Sequence, residues 1–112
     1  MVQAEFSLVL TTVPAETDAD VLAATLVAER VAACVSVLPP MQSIYRWQGS
    51  VERATERLLL IKTASARVPD LQRRLAELHP YEVPECLVLA IAGGSPAYLA
   101  WLAQSMEPPD AS

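Results

Sequence analysis

Glycine is scarce in this chain, with only Gly49, Gly93 and Gly94 among 112 residues. That excludes a glycine-rich phosphate loop and a dinucleotide-binding fingerprint. Histidine occurs once, at His79, so a His-rich metal site cannot form inside one subunit. Lysine also occurs once, at Lys62, and the arginines form no basic run. With a net charge of −5 and acidic residues scattered among the arginines, nucleic acid is not an expected partner. The adjacent Arg73 and Arg74 read as a solvated helix face. Two cysteines, Cys34 and Cys86, make no disulfide framework and no Cys-x-x-Cys pair. No apolar run approaches the roughly 20 residues that cross a bilayer, and no stretch has the three-part pattern of a secretory signal. The expectation is a reduced, cytoplasmic protein with neither nucleic acid nor membrane as partner. No Gly-x-Ser-x-Gly elbow is present, and no nucleophile has an identifiable base other than His79. An enzyme is not expected.

What the chain has in excess is apolar surface. Hydrophobic residues make up 53% and charged residues only 19%. A single domain of this length cannot enclose so much, because small bodies have unfavourable surface-to-volume ratios. An oligomer that buries the remainder between subunits is therefore expected. Residues 1–105 read as one domain and 106–112 as a loose tail, with no repeat or linker.

The pattern along the chain is of mixed type. Residues 6–13 are β-branched and apolar up to Pro14 and read as a buried strand. Asp18 and Asp20 open a helix expected over 18–32. A second strand over 34–38 meets Pro39-Pro40, a pair tolerated only at a sheet edge or bulge. Residues 43–47 and 51–63 then form a long hairpin around Gln48-Gly49-Ser50. Val68, Leu71, Leu75 and Leu78 mark an amphipathic helix that must end before Pro80. The apolar run 87–92 reads as a central strand, and a short helix over 97–104 follows Gly93-Gly94, with Tyr98, Trp101 and Leu102 on one face. This order, β-α-β-β-α-β plus a terminal helix, predicts an α+β, ferredoxin-like sheet with two helices on one face.

The chemistry is concentrated in His79-Pro80-Tyr81-Glu82-Val83-Pro84-Glu85-Cys86, where two prolines stiffen an extended connector. His79 can either ligate copper or zinc, with Cys34, Cys86, Glu82 or Glu85, or simply cap the helix dipole. In a trimer, three copies can meet, so one histidine per chain does not exclude a multi-His site. Tyr45 and Trp47 share a face of the hairpin and read as subunit packing or as the wall of a cleft. Lys62, at the end of an apolar strand, is either a snorkelling edge residue or an anion contact. Glu56 reads as an ion-pair partner of a neighbouring arginine. Gly93-Gly94 offers backbone N–H groups or is a plain turn.

Several of these segments, in order and spacing, resemble the CutA family of divalent-cation tolerance proteins. They are Ala33-Cys34-Val35-Ser36, Ser43-Ile44-Tyr45-Arg46-Trp47-Gln48-Gly49, Glu56 through Lys62-Thr63, the His79–Glu85 motif, and Tyr98 through Trp101-Leu102. The resemblance implies a homotrimer similar to the PII signalling trimers, and a link to tolerance of copper and other divalent cations. It also implies an intersubunit cleft lined by Cys34, Tyr45, Trp47, Lys62, His79, Tyr81, Glu82, Glu85 and Trp101, and no catalytic reaction. His79 and Cys34 are then the expected metal ligands, with a PII-like sensor of a small molecule or partner protein as the alternative. Ser36 replaces an asparagine common in the family, and Leu10-Thr11-Thr12 lacks a thiol that some members carry at the end of the first strand. Cys86 stands where an aliphatic residue is usual and reads as a core substitution.

Overall fold

A computed structural model describes residues 4–108. Its elements are β1 (Phe6–Pro14), α1 (Ala19–Ala28), β2 (Cys34–Val37), β3 (Met41–Trp47), β4 (Ser50–Ala64), α2 (Val68–Leu78), β5 (Leu87–Ala90) and α3 (Pro96–Ser105). The strands form one antiparallel sheet in the order β2-β4-β1-β5, with β3 also paired to β4. The element order and the α+β class are those expected. β2 and β3 lie along the same edge of β4, interrupted at Pro39-Pro40, where the missing N–H groups leave no central ladder broken.

The sheet's two faces differ because side chains alternate along a strand. Val9, Thr11 and Val13 of β1, with Leu59 and Ile61 of β4, are fully buried and face the helices. Leu22 and Leu26 of α1 and Leu71 and Leu75 of α2 close this core. Val68 and Leu78 pack at its margin, so the stripe read from sequence is the buried face of α2. The opposite face carries Leu8 and Leu10 of β1 beside Lys62 and Leu60 of β4. Leu89 and Leu87 of β5 flank them on the other side. Among the described residues only α3 covers part of this face, at one end, where Phe6, Ala33, Leu102 and Met106 form a second small core.

Three expectations need correction. The run 87–92 is not a central strand: β5 spans four residues at the sheet edge, with Leu87 54% and Leu89 43% exposed. Leu87 and Leu89 belong to the open face, and Val88, opposite Val9 on the helix-bearing face, is itself 45% exposed. The first helix stops at Ala28, well before residue 32. Arg30 adopts φ 59°. The N–H of Val31 returns to Leu26 O and that of Arg30 to Val27 O, which is a Schellman closure without glycine. Arg30 also donates to Ser105 O at 3.2 Å, tying this turn to α3. Met106, placed in the tail by sequence, is buried and ends α3; residues 109–112 of that tail lie outside the described residues.

β4 is 15 residues long, and its outer half runs with β3 away from the body. The radius of gyration, 15.2 Å, exceeds the roughly 13 Å of a globule of this length. The excess is the projecting hairpin. Its two-residue turn has φ 49° at Gln48 and 83° at Gly49, the positive pair of a type I′ connection.

Candidate functional site

The stiff connector is anchored at its first residue. His79 caps α2, its N–H returning to Leu75 O at 2.8 Å, and its backbone then turns extended ahead of Pro80. The imidazole is buried, 7% exposed. Nε2 lies 2.6 Å from Thr12 O, and Nδ1 accepts the Tyr81 N–H at 3.1 Å. A carbonyl only accepts and an amide N–H only donates, so these partners assign the neutral Nε2–H tautomer. Pairing of β1 with β5 covers Ser7 to Leu10. Thr12 lies just beyond, and His79 supplies the donor where the strand has run out.

Tyr81 stacks obliquely on His79, with ring centres 5.0 Å apart. Its hydroxyl donates to Glu56 Oε2 at 2.7 Å. Glu56, only 8% exposed, takes this phenol rather than an arginine. The adjacent Arg57 instead donates from Nε to Leu38 O at 3.0 Å. Burial, then the hydrogen bond to Glu56 and the charges of Glu56, Tyr45 and Glu16, push the Tyr81 phenol up to about 12. Glu56 is the partner that sequence reasoning missed. The only available signal was one carboxylate where the strand changes from polar to apolar.

A second group sits on the open face of the sheet. Cys34 is directly across the ladder from Lys62 and is half-buried. Lys62 Nζ donates to Tyr98 Oη at 2.9 Å, and Tyr98 stacks on Trp101 at 5.4 Å. That hydrogen bond raises the Lys62 ammonium above its ordinary value, against partial desolvation and aided by the charges of Tyr98 and Cys34. Tyr98 was not among the expected site residues. It lies on the same helix face as Trp101, one turn away.

Within one chain these groups remain apart. Thr12, the partner of His79, pairs with Leu58, whereas Cys34 pairs with Lys62. Four residues of β4 separate the two rows, roughly 13 Å of strand. Tyr45 and Trp47 are 45% and 61% exposed on the hairpin, and Glu82 and Glu85 are exposed on the connector. Cys86 packs against the main core, in keeping with a core substitution. An apolar groove bounded by Phe6, Ile91, Gly93 and Leu99 includes none of the expected ligands. Among the described residues, no three His, Cys, Asp or Glu side chains converge as a metal cluster.

The family model described as "CutA1 divalent ion tolerance protein" matches residues 7–105. A Thermus thermophilus protein named divalent-cation tolerance protein CutA is 50% identical over 97 residues, 87% of this chain and 94% of that protein. Mouse protein CutA is 43% identical over 96 residues, 86% of this chain but 54% of the mouse protein. The solved structure of CutA from Synechococcus elongatus superposes with a TM-score of 0.88 at 44% identity, covering 96% of this chain and 95% of that one.

Proposed function

The chain belongs to the CutA1 divalent ion tolerance family, and from that premise we propose that it acts as a homotrimer that holds divalent cations, copper foremost, between its protomers. One observation carries the oligomer: the sheet face bearing Leu8, Leu10, Leu60, Leu87 and Leu89 is left largely uncovered. Exposed apolar surface of this kind is the mark of a protein–protein contact. The hairpin adds Ile44 at 59%, Trp47 at 61% and Val51 at 67% exposure, beyond the reach of the chain's own core. Sedimentation measures the mass directly, and the mass of a single chain removes the reading.

Of the two expected ligands, the Cys34 thiol suits a soft cation such as copper. It is half-buried on the open face, with Lys62 as its cross-strand neighbour. His79 offers no free lone pair while it holds Thr12 and Tyr81. Copper titration of the chain against Cys34→Ala tests the thiol, and unchanged affinity in the variant excludes it.

The alternative is a PII-like trimeric sensor or adaptor. The ammonium of Lys62 beside the rings of Tyr98 and Trp101 favours it, as a contact for a small organic anion. Thermal-shift screening of metabolites without metal separates the two, since uniformly flat melting curves count against a sensor. We propose no catalytic reaction for the chain. We place it in the cytoplasm because both cysteines are free. Among the described residues no helix is long and apolar enough to cross a membrane. Fractionation checks the compartment, as two relatives are named chloroplastic.

A further inference from the structure

We infer that His79 is a positioning residue and not a metal ligand: its imidazole gives a β1 carbonyl the donor that β5 no longer reaches to supply, and so seats the connector that aims Tyr81 at Glu56. The geometry accounts for both ring nitrogens. Nε2–H satisfies Thr12 O at 2.6 Å, beyond the end of the β1–β5 ladder, and Nδ1 accepts the Tyr81 N–H at 3.1 Å. A metal ion needs the lone pair of one of these nitrogens. Taking Nε2 would strip its proton and orphan the Thr12 carbonyl, and taking Nδ1 would orphan the Tyr81 amide. Both losses fall next to a ring that is only 7% exposed, where an unpaired polar group is most costly.

The tie has a consequence two side chains away. The His79 ring braces Tyr81 from one side at 5.0 Å and holds its backbone N–H, leaving the phenol directed at Glu56 Oε2, 2.7 Å off. Glu56 is 8% exposed and accepts no arginine, so Tyr81 is the sole hydrogen-bond partner of its carboxylate among the described residues. His79 thus positions the partner of a buried carboxylate. Pro80 contributes by fixing the extended step between the two residues. The inference holds whether or not the chain takes up metal.

The test uses the full chain labelled with ¹⁵N-histidine, so that the single ring is read without overlap. The expected spectrum has a protonated Nε2 in slow exchange and an unprotonated Nδ1. A Nδ1–H tautomer or a freely exchanging ring overturns the assignment. Zn²⁺ as a diamagnetic probe is expected to leave these signals in place, and their displacement on binding overturns it. His79→Gln keeps a donor for Thr12, whereas His79→Ala does not. Phenolate absorbance against pH should retain the late-titrating tyrosine in His79→Gln and shift it toward the ordinary range near 10 in His79→Ala. Cu²⁺ affinity should be the same in the parent and in His79→Gln. A loss of about tenfold or more, together with displacement of the ring nitrogen signals by Zn²⁺, would make His79 a ligand after all, since the loss alone is also what a positioning residue gives. If the parent chain binds neither ion, the cation reading fails, while the tautomer and the tyrosine titration still decide this inference.

Discussion

Tyr81 donates its phenolic hydrogen to Glu56 Oε2 at 2.7 Å, joining the connector after α2 to the root of the hairpin. This bond sets a pH dependence whose sign follows from the raised phenol. The folded chain keeps the Tyr81 proton up to about 12, whereas an unfolded tyrosine loses it near 10. The contribution is complete below the unfolded value and is lost as pH rises through the folded one. Stability should therefore fall between those two values, and Tyr81→Phe should flatten that part of the profile. Tyr81 is 36% exposed, so solvent screening reduces the cost of the substitution at neutral pH to about 1 kcal/mol. Urea midpoints measured across pH check both parts.

Lys62 is the single lysine, so amine-directed labelling reads one side chain. The hydrogen bond from Lys62 to Tyr98 raises its ammonium. Stability from this pair is present below the unfolded lysine value and declines as pH rises through the folded one. Tyr98→Phe should speed acylation of Lys62 at pH 9 while changing stability by no more than about 0.5 kcal/mol, because the pair is solvent-accessible. Unaltered labelling would mean that the bond does not govern the amine in solution.

The two faces of the sheet should respond differently to the same substitution. Leu26, fully buried in the main core, should lose about 2–5 kcal/mol on truncation to alanine. Leu89, 43% exposed on the open face, should contribute little within a lone chain. If the chain forms the proposed trimer, Leu89→Asp should instead dissociate it, with the mass falling to that of one chain and the circular dichroism of the fold retained. An intact oligomer in that variant would place the interface elsewhere.

Gln48 occupies a positive-φ position that favours asparagine or glycine. It is exposed at the tip of the hairpin. Gln48→Asn should stabilise the turn by about 0.5 kcal/mol, because asparagine tolerates the left-handed conformation better. A shift in thermal midpoint at fixed protein concentration measures it.

Much of this architecture is legible in local patterns. The spacing of Val68, Leu71, Leu75 and Leu78 identifies the buried face of α2, and Pro80 stops it. Gln48-Gly49 marks the hairpin turn, and Pro39-Pro40 marks an interrupted edge. These signals are short-range, and each acts through the conformation of the residue that carries it. The early end of α1 escaped because its left-handed closing residue is Arg30, not glycine.

The sequence by itself determined the element order, the excess of apolar surface and the family motif, since all are properties of neighbouring residues or composition. Only the tertiary structure decided that β5 lies at an edge, because strand order depends on crossovers that no local pattern records. It also divided the expected site in two, with Cys34 and Lys62 at one end of the sheet and His79 and Tyr81 at the other. The same holds for Glu56 and for the two bonds of His79. A side chain's partners are set by what folding brings within hydrogen-bond reach, and Tyr81 and Glu56 are distant in sequence until the sheet forms.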